Sequence, residues 1–286
     1  MLTRAAEQKG ALVMDSSDTS GREPPPGIDT SVSHSARVWN YWLGGKDNYP
    51  VDHEVGERFR AVRPGVVDTA RACRAFLVRV VRYLAGEVGI RQFLDVGTGL
   101  PTANNTHEVA QAIAPQCRIV YVDNDPLVLV HARALLTSSP EGVTDYVDAD
   151  LRDPERILRE AARTLDFTQP VALVLLGIME HFLDNDEPYA IVRRLLDALP
   201  SGSYLVLCDP TTEIDGEAAL EACRLWNESG GTPPITARSR LELIGFFEGV
   251  ELLDPGVVSC SLWRPGPIDV GAPIEVSMFG GVGRKS

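Results

Sequence analysis

Hydrophobic positions along the middle of the chain recur with two different periods. Short apolar runs alternate with segments of about ten residues that have helical spacing. The predicted strands are residues 91–96, 118–122, 145–149, 171–176 and 203–208, and the predicted helices between them are 104–113, 126–136, 154–164 and 188–199. This alternation is typical of an α/β fold in which helices cover both faces of a parallel sheet.

The N-terminal part of the chain has a different pattern. Residues 1–34 lack periodicity and contain Pro24-Pro25-Pro26-Gly27, which predicts a disordered or loosely attached tail. A short helix is predicted to end at Leu43, before Gly44 and Gly45. From Asp68, a possible N-cap, residues 73, 76, 77, 80 and 84 form one apolar helix face. Residues 35–90 are therefore predicted to form a helical cap, and residues 91–286 the main domain.

The C-terminal part predicts further helices and a change of strand direction. Helical patterns occupy residues 216–227 and 238–245. Residues 250–253 and 257–263 flank Asp254-Pro255-Gly256 and are predicted to form a hairpin-like pair. The expected architecture is a mostly parallel, seven-stranded sheet with an antiparallel late strand and an N-terminal helical cap.

Charge and composition narrow the classes of partner. The formal net charge of −13 argues against nucleic acid held by phosphate neutralisation. Eight arginines between residues 58 and 91 form either a solvated helix face or a surface for an acidic partner. Five scattered cysteines suit reduced thiols in the cytoplasm, and no metal-ligand spacing occurs. We expect neither a signal peptide nor a membrane span, and a small molecule as the partner.

Acidic and glycine residues gather at the ends of three successive predicted strands. The first strand ends in Asp95-Val96-Gly97-Thr98-Gly99, where glycines permit a tight turn and close approach of a ligand. Asp123 ends the second strand, where a carboxylate can accept both ribose hydroxyls of an adenosine. At the third, Asp148 or Asp150 could accept the adenine amino group, with Leu151 against the ring. Helix capping explains each acid singly, but the order favours a nucleoside site.

These segments resemble a known enzyme superfamily. DVGTG, YVDNDP, DADL and VALVLLGIMEHF resemble successive motifs of class I S-adenosylmethionine-dependent methyltransferases, which have a Rossmann-like fold. ARVWNYWLGGKDNYPVDHE (36–54) and LDVGTGLPTANNTHEVAQ (94–111) are similar to the actinobacterial S-adenosyl methyltransferase family, formerly a domain of unknown function. The resemblance implies that the cofactor is S-adenosylmethionine.

The resemblance also implies roles for individual residues. The cofactor-binding residues would be Asp95, Gly97, Thr98 and Gly99 around the methionine part, Asp123 at the ribose, Asn124, Asp150 and Leu151 at the adenine, and Gly177 and Ile178 at the sulfonium. One departure is Pro101, which stands where many methyltransferases have a third glycine. Proline removes one N–H group, so contacts after Gly99 can differ from the family pattern.

Two further groups of residues are candidates for the substrate side. The segment that contains Trp39, Tyr41, Trp42, Gly44, Gly45, Lys46, Asn48 and Tyr49 is a candidate lid. Its aromatic side chains either pack on the main domain or line a ligand site, and Lys46 and Asn48 either grip a carboxylate or lie in an exposed loop. His181 is a candidate general base, with a structural histidine at a helix start as the alternative. His53 and His107 are weaker candidates.

The function that these observations favour is methyl transfer from S-adenosylmethionine to a small molecule. A regulator or inactive homologue that binds S-adenosylmethionine or S-adenosylhomocysteine without methyl transfer is the alternative. A nicotinamide-dependent dehydrogenase is less favoured because Thr102 stands where the dinucleotide fingerprint needs glycine or alanine.

Overall fold

The structure is a computed structural model that describes residues 28–135, 137–183, 186–266 and 273–286. The predicted tail therefore lies outside the described residues as far as residue 27. Residues 28–34 follow the surface of the first helix, where Arg37 donates hydrogen bonds to the carbonyls of Asp29 (3.0 Å) and Val32. Ser33 in this segment is buried.

Nine helices and eight strands occupy the described residues. The helices are α1 (Ser35–Trp42), α2 (Pro50–Val62), α3 (Val66–Arg82), α4 (Thr106–Ile113), α5 (Pro126–Leu135), α6 (Pro154–Ala161), α7 (Asp186–Asp197), α8 (Glu217–Glu228) and α9 (Arg240–Gly245). The strands are β1 (Gln92–Val96), β2 (Arg118–Asp123), β3 (Val143–Asp148), β4 (Ala172–Leu176), β5 (Tyr204–Pro210), β6 (Glu251–Leu252), β7 (Val258–Ser259) and β8 (Met278–Arg284). A π-helical turn (Tyr83–Val88) extends α3, and a 3₁₀ turn (Met179–His181) follows β4.

The strands form one mixed sheet in the order β3-β2-β1-β4-β5-β8-β6. The first five strands of this path are parallel, and β8 pairs antiparallel with β5. The outer edge of β8 carries both β6 and β7. The predicted α/β fold, mostly parallel with an antiparallel late strand, is confirmed: seven strands follow the path, and β7 is an eighth beside it.

Alternate residues of each strand enter cores on opposite faces of the sheet, as the two-residue strand period requires. Phe93 packs with Phe76 of α3 and Val109 of α4. Leu94 belongs to the opposite core, which includes residues of α6, α7 and α9. A third cluster joins α1, α2, α8 and the start of α3, so the first helices are anchored beside the sheet rather than free of it.

The helix predicted to begin at Asp68 begins instead at Val66, with Gly65 as the N-cap. Val66 is buried in the third cluster, and this packing extends the helix by two residues. The sequence pattern does not predict the helix α2. Its apolar residues Val55 and Phe59 face that same cluster, so the tertiary contacts identify the helix more clearly than its sequence does.

The prediction that residues 250–253 and 257–263 form a hairpin-like pair is wrong. β6 and β7 do not pair with each other, because each pairs with β8. The sequence analysis missed β8 because its three glycines disfavour a strand. The structure requires a small residue there: a Cβ on Gly280 would lie 2.6 Å from Cys208 Cβ. Glycine thus lets β8 lie close to β5.

All five cysteines are free and buried. Cys73 of α3 and Cys208 of β5 bring their Sγ atoms within 3.4 Å of each other. This contact and burial raise the pKa of the Cys73 thiol well above its usual value. In the described part of the chain, no helix is long and apolar enough to cross a membrane.

Candidate functional site

A cavity of about 150 Å³ lies at the carboxyl edge of the sheet, where the order of strands reverses. β1 has β2 on one side and β4 on the other, and the loops after β1 and β4 diverge from this point. Such switch points are where open parallel sheets bind ligands. We call this the main cavity.

Glycines shape the floor of the main cavity. Gly97 and Gly99 have left-handed φ angles of 74° and 65°, which favour glycine. A Cβ on Gly97 would lie 2.5 Å from the side chain of Ile178, so the loop after β4 covers the turn after β1. Gly177 has a φ of 65°, and its N–H donates to the carbonyl of Cys208 at 2.8 Å. The turn after β1 and the loop after β4 therefore pack against each other.

Asp95 places a buried carboxylate at the end of β1. Its Oδ2 accepts a hydrogen bond from the Thr106 hydroxyl at 2.6 Å. Burial raises the pKa of Asp95 to about 6, although Thr106 and Arg74 act in the opposite direction and Asp123 adds to the increase. The carboxyl group is thus partly protonated in mildly acidic solution, and a nearby cation would favour its ionised form.

Asp123 connects the turn after β1 to the turn after β2. Its Oδ2 accepts from the Gly99 N–H and its Oδ1 from the Asp125 N–H, both at 2.9 Å. Burial raises the pKa of Asp123, and these two backbone donors counteract the increase. Beyond it, Asn124 donates to Asp150 Oδ2 at 3.0 Å, which links the ends of β2 and β3.

Arg74 of α3 places a cation in the wall of the main cavity. Its Nη2 atom donates to Thr102 Oγ1 and, at 3.1 Å, to Asn105 Oδ1. Its Nε atom is buried and has no hydrogen-bond partner among the described residues. Burial lowers the pKa of Arg74, but an arginine remains charged at neutral pH. The guanidinium therefore places a positive charge in the wall of the cavity and has an unpaired donor at Nε.

His181 is held in one tautomer by its neighbours. Its Nδ1 lies 3.1 Å from the carbonyl of Pro234, which only accepts hydrogen bonds, so Nδ1 carries the proton. Nε2 is then the acceptor and lies 3.4 Å from the Ser35 hydroxyl. Burial lowers the pKa of His181 to about 4. The ring is therefore neutral at neutral pH, with its lone pair directed towards α1.

A buried ion pair fixes the loop that carries His181. Arg238 pairs with Asp209 Oδ2 at 3.1 Å, and the two side chains are 1% and 0% exposed. The same guanidinium donates to the carbonyls of Met179 (2.8 Å) and Phe182 (2.6 Å). It thus bridges β5 to both ends of the 3₁₀ turn.

Helix α1 forms the roof of the main cavity through Ser35, Trp39 and Asn40. Buried Asp52 of α2 holds the start of this helix. One of its oxygens accepts from the His34 N–H (3.1 Å) and from Arg37 Nε (3.1 Å), and the other accepts from the Tyr49 N–H (2.8 Å). The roof is therefore tied to α2 by a hydrogen-bonded carboxylate.

Most of the predicted cofactor residues line the main cavity. Those in its wall are Asp95, Gly97, Thr98, Gly99, Asp123, Asn124, Gly177 and Ile178, together with the candidate base His181. Asp150 and Leu151 are not in the wall. Asp150 is linked to it through Asn124, and Leu151 is buried in the core.

Of the eight candidate lid residues, only Trp39 reaches the main cavity. Trp42 lines a second, smaller cavity behind α1. Tyr41 stacks on His53, with ring centroids 4.4 Å apart. Gly45 and Asn48 pack around Asn40, whose Oδ1 accepts from Asn48 Nδ2 at 2.7 Å. The others, Gly44, Lys46 and Tyr49, lie outside the cavity wall.

Sequence reasoning missed several residues of the wall. These are His34, Asn40, Arg74, Asn105 and Thr106. The arginines that include Arg74 are predicted to form a solvated face or a surface for an acidic partner, although the position of Arg74 beside Cys73 and Leu77 in an amphipathic helix is a signal for the cavity wall. The capping residue Asn105 was also recognisable, because Glu108 stands three residues later and completes a capping box.

Comparison with known proteins is consistent with this geometry. The sequence profile of a family described as S-adenosyl methyltransferase matches residues 21–286. The chain belongs to the S-adenosyl methyltransferase family. Its cofactor is accordingly S-adenosylmethionine, and its function is methyl transfer from that cofactor. The dehydrogenase alternative is excluded by this membership.

Solved structures of S-adenosyl methyltransferase relatives support the same assignment. A DUF574 family protein from Streptomyces avermitilis MA-4680 is 45% identical, with a TM-score of 0.85 over 90% of this chain and 99% of that chain. A protein from Thermobifida fusca YX is 43% identical, with a TM-score of 0.83 over 92% and 98% of the two chains. A plantazolicin methyltransferase in complex with S-adenosylhomocysteine shares the fold (TM-score 0.51) at 10% identity over 88% of this chain and 95% of that chain. No curated protein matches the sequence.

Replacement of Arg238 by Gln tests the structural role of the buried ion pair. We expect the free energy of unfolding to fall by about 3–5 kcal/mol, because Asp209 would be left buried without its cation. Arg224→Gln is the control, since Arg224 forms only exposed pairs with Glu221 and Glu228. It should cost less than about 1 kcal/mol. Urea denaturation measures both values, and equal effects would contradict this role of Arg238.

Proposed function

We propose that the main cavity is the cofactor site and that this methyltransferase acts on a small-molecule acceptor. The observation that carries the proposal is the convergence of Asp95, Gly97, Asp123 and Gly177 on one cavity at the switch point of the sheet. When bound, S-adenosylmethionine supplies an activated methyl group on a sulfonium. The protein's task is then to position the acceptor and exclude water.

The charges of the cavity suit the two ends of this cofactor. We assign Asp95 to the α-ammonium group and the Arg74 guanidinium, which lines the same cavity, to the α-carboxylate. The glycine turn at residues 97–99 would contact the methionine part through its backbone. Asp123 would receive the ribose hydroxyls, and Asn124, oriented by Asp150, would contact the adenine. Leu151 supports this region from the core.

Gly177 and Ile178 are proposed to face the sulfonium. A Cβ on Gly177 would lie 3.8 Å from Trp39 Cζ2, so an aromatic ring stands close to the place where the reacting group would lie. Aromatic rings attract cations. We propose that α1 acts as the lid through Ser35, Trp39 and Asn40, while the rest of residues 36–54 supports this helix from behind.

His181 is proposed as the group that receives a proton from the acceptor. Its Nε2 lone pair is oriented by the hydrogen bond from Nδ1 to Pro234, an arrangement that catalytic histidines require. Its lowered pKa keeps Nε2 unprotonated across the neutral range. The buried free cysteines support a reducing compartment, and we propose the cytoplasm.

Binding of S-adenosylhomocysteine should depend on pH through Asp95. Its raised pKa means that the carboxyl group must lose a proton to pair with an ammonium below pH 6. Affinity should therefore be constant above about pH 7 and about tenfold weaker at pH 5. Isothermal titration calorimetry measures this, and Asp95→Asn should bind more weakly at pH 7.5 with a flat profile. The assignment fails if the variant keeps the wild-type profile.

A matched pair of glycine variants tests the position of the cofactor. Gly97→Ala forces a side chain into a left-handed turn and against Ile178, and should weaken binding of S-adenosylhomocysteine by at least about tenfold. Gly89→Ala has the same left-handed strain (φ 89°) with open space around its Cβ. It should lose about 1 kcal/mol of stability from the strained turn alone and bind normally. Equal binding by both variants would exclude the main cavity as the cofactor site.

His181→Gln separates a catalytic role from a structural one. We expect transfer of a labelled methyl group to an acceptor found by screening to fall about 100-fold, because proton transfer contributes about 10²–10⁴ to such rates. Affinity for S-adenosylhomocysteine should stay within about threefold. Full turnover by the variant would rule out His181 as the base. An absence of turnover in the wild-type chain with every acceptor would favour a regulator that binds the cofactor.

A further inference from the structure

A second cavity of about 40 Å³ lies behind α1, next to the main cavity. Ser35 and Trp39 belong to the walls of both cavities. Gly177 marks the boundary, since a Cβ on it would lie 3.8 Å from Trp39 Cζ2 and 4.0 Å from Glu180 Oε1. A ligand group in the second cavity would therefore lie beside the proposed position of the sulfonium.

Four aromatic rings line the second cavity. Its wall includes Trp39, Trp42, Phe59 and Trp226. The rings of Trp39 and Trp42 meet edge to face with centroids 5.9 Å apart, and Trp42 and Phe59 are 5.2 Å apart. Aromatic rings around a small space can bind a cation over their faces, as in the aromatic cages that recognise ammonium ligands.

One acidic side chain faces this aromatic space. Glu180 is only 4% exposed and lines the second cavity. Its carboxyl group receives no hydrogen bond from the described residues, whereas Asp209 and Asp52 are both paired with arginines. A buried carboxyl group without a donor is costly, so an occupant that donates to it would be stabilised.

The charges around Glu180 leave one negative group unmatched. Arg63 also lines the cavity, but its guanidinium pairs with Asp215 at 3.1 Å. Arg238 pairs with Asp209. Three carboxyl groups thus surround two guanidinium groups. Burial and the neighbouring Asp209 raise the pKa of Glu180 well above its usual value, although Arg63 and Arg238 act in the opposite direction.

We propose that the second cavity is the acceptor subsite and that it binds an ammonium group of a small-molecule amine. The ammonium would donate to Glu180 and contact the faces of the tryptophans. A cavity of this size exceeds the 10–15 Å³ or so that one water needs, and suits an ammonium carrying one or two carbons rather than a whole ring. The rest of the acceptor would extend into the main cavity, towards His181. This inference rests on the proposed function.

The four tryptophans of the chain allow a direct test. Three line the second cavity, while Trp263 is fully buried in another core beside Phe76 and serves as an internal control. The protein is labelled with 5-fluorotryptophan, and each fluorine resonance is assigned by single replacement with phenylalanine. Ethylammonium chloride is titrated in the presence of S-adenosylhomocysteine, with ethanol as the neutral probe of the same size.

Ethylammonium should shift the three cavity resonances in a saturable way and leave Trp263 unchanged, while ethanol should have little effect. Glu180→Gln should weaken ethylammonium binding by at least about tenfold, because an ammonium beside Glu180 favours its ionised form and glutamine offers no ionic partner. Glu87→Gln, which removes one exposed negative charge, should bind as wild type. Equal shifts by the two probes, an unchanged affinity in Glu180→Gln, or no shift at all would overturn the ammonium subsite.

Calorimetry with S-adenosylhomocysteine separates the two proposals. If the cofactor product binds but ethylammonium does not, the amine subsite is wrong and the proposed cofactor site stands. If the cofactor product does not bind, the proposed function itself fails. The ethylammonium and ethanol titrations of the wild-type chain decide the question even if Glu180→Gln does not fold.

Discussion

In-register parallel pairing around β1 is the constraint on which the site depends. Asp95 lies opposite Tyr121 in β2 and Val174 in β4, so the carboxyl ends of three strands finish at nearly the same level. Since a slip of one residue in a strand would turn every side chain to the other face, the buried alternation of Phe93 and Leu94 protects this register. The apolar core on both faces therefore sets where the acidic and glycine residues meet.

A second layer of interactions connects this edge to the helices above it. Buried carboxylates provide the connections: Asp52 holds the start of α1, and Asp209, through Arg238, holds the turn that carries His181. Each of these acids is met by an arginine and is almost fully buried. Glu180 lies close to Asp209 and within the influence of Arg63 and Arg238, but it forms no ion pair of its own among the described residues, which is why it stands out in this region.

The sequence predicted the site best where an acidic or glycine residue stands at the end of a predicted strand. Asp95, Gly97 and Asp123 were recognisable because a strand pattern fixes where each side chain emerges, and parallel strands share one edge. The contribution of α3 was harder to recognise, because an arginine on an amphipathic helix looks the same whether it faces water or a cavity. β8 was not predicted for a different reason. Its glycines allow close packing against β5, and this role becomes clear only once the neighbouring strand is known.

Because all five thiols are buried, chemical modification of a cysteine reports local opening of the structure. Cys73 lies in the wall of the main cavity, and its thiol is held in the unreactive protonated form beside Cys208. Alkylating reagents act on the thiolate, so modification of this cysteine requires its contact with Cys208 to open. The rate of alkylation at Cys73 therefore reports how often α3 moves away from β5 at this point.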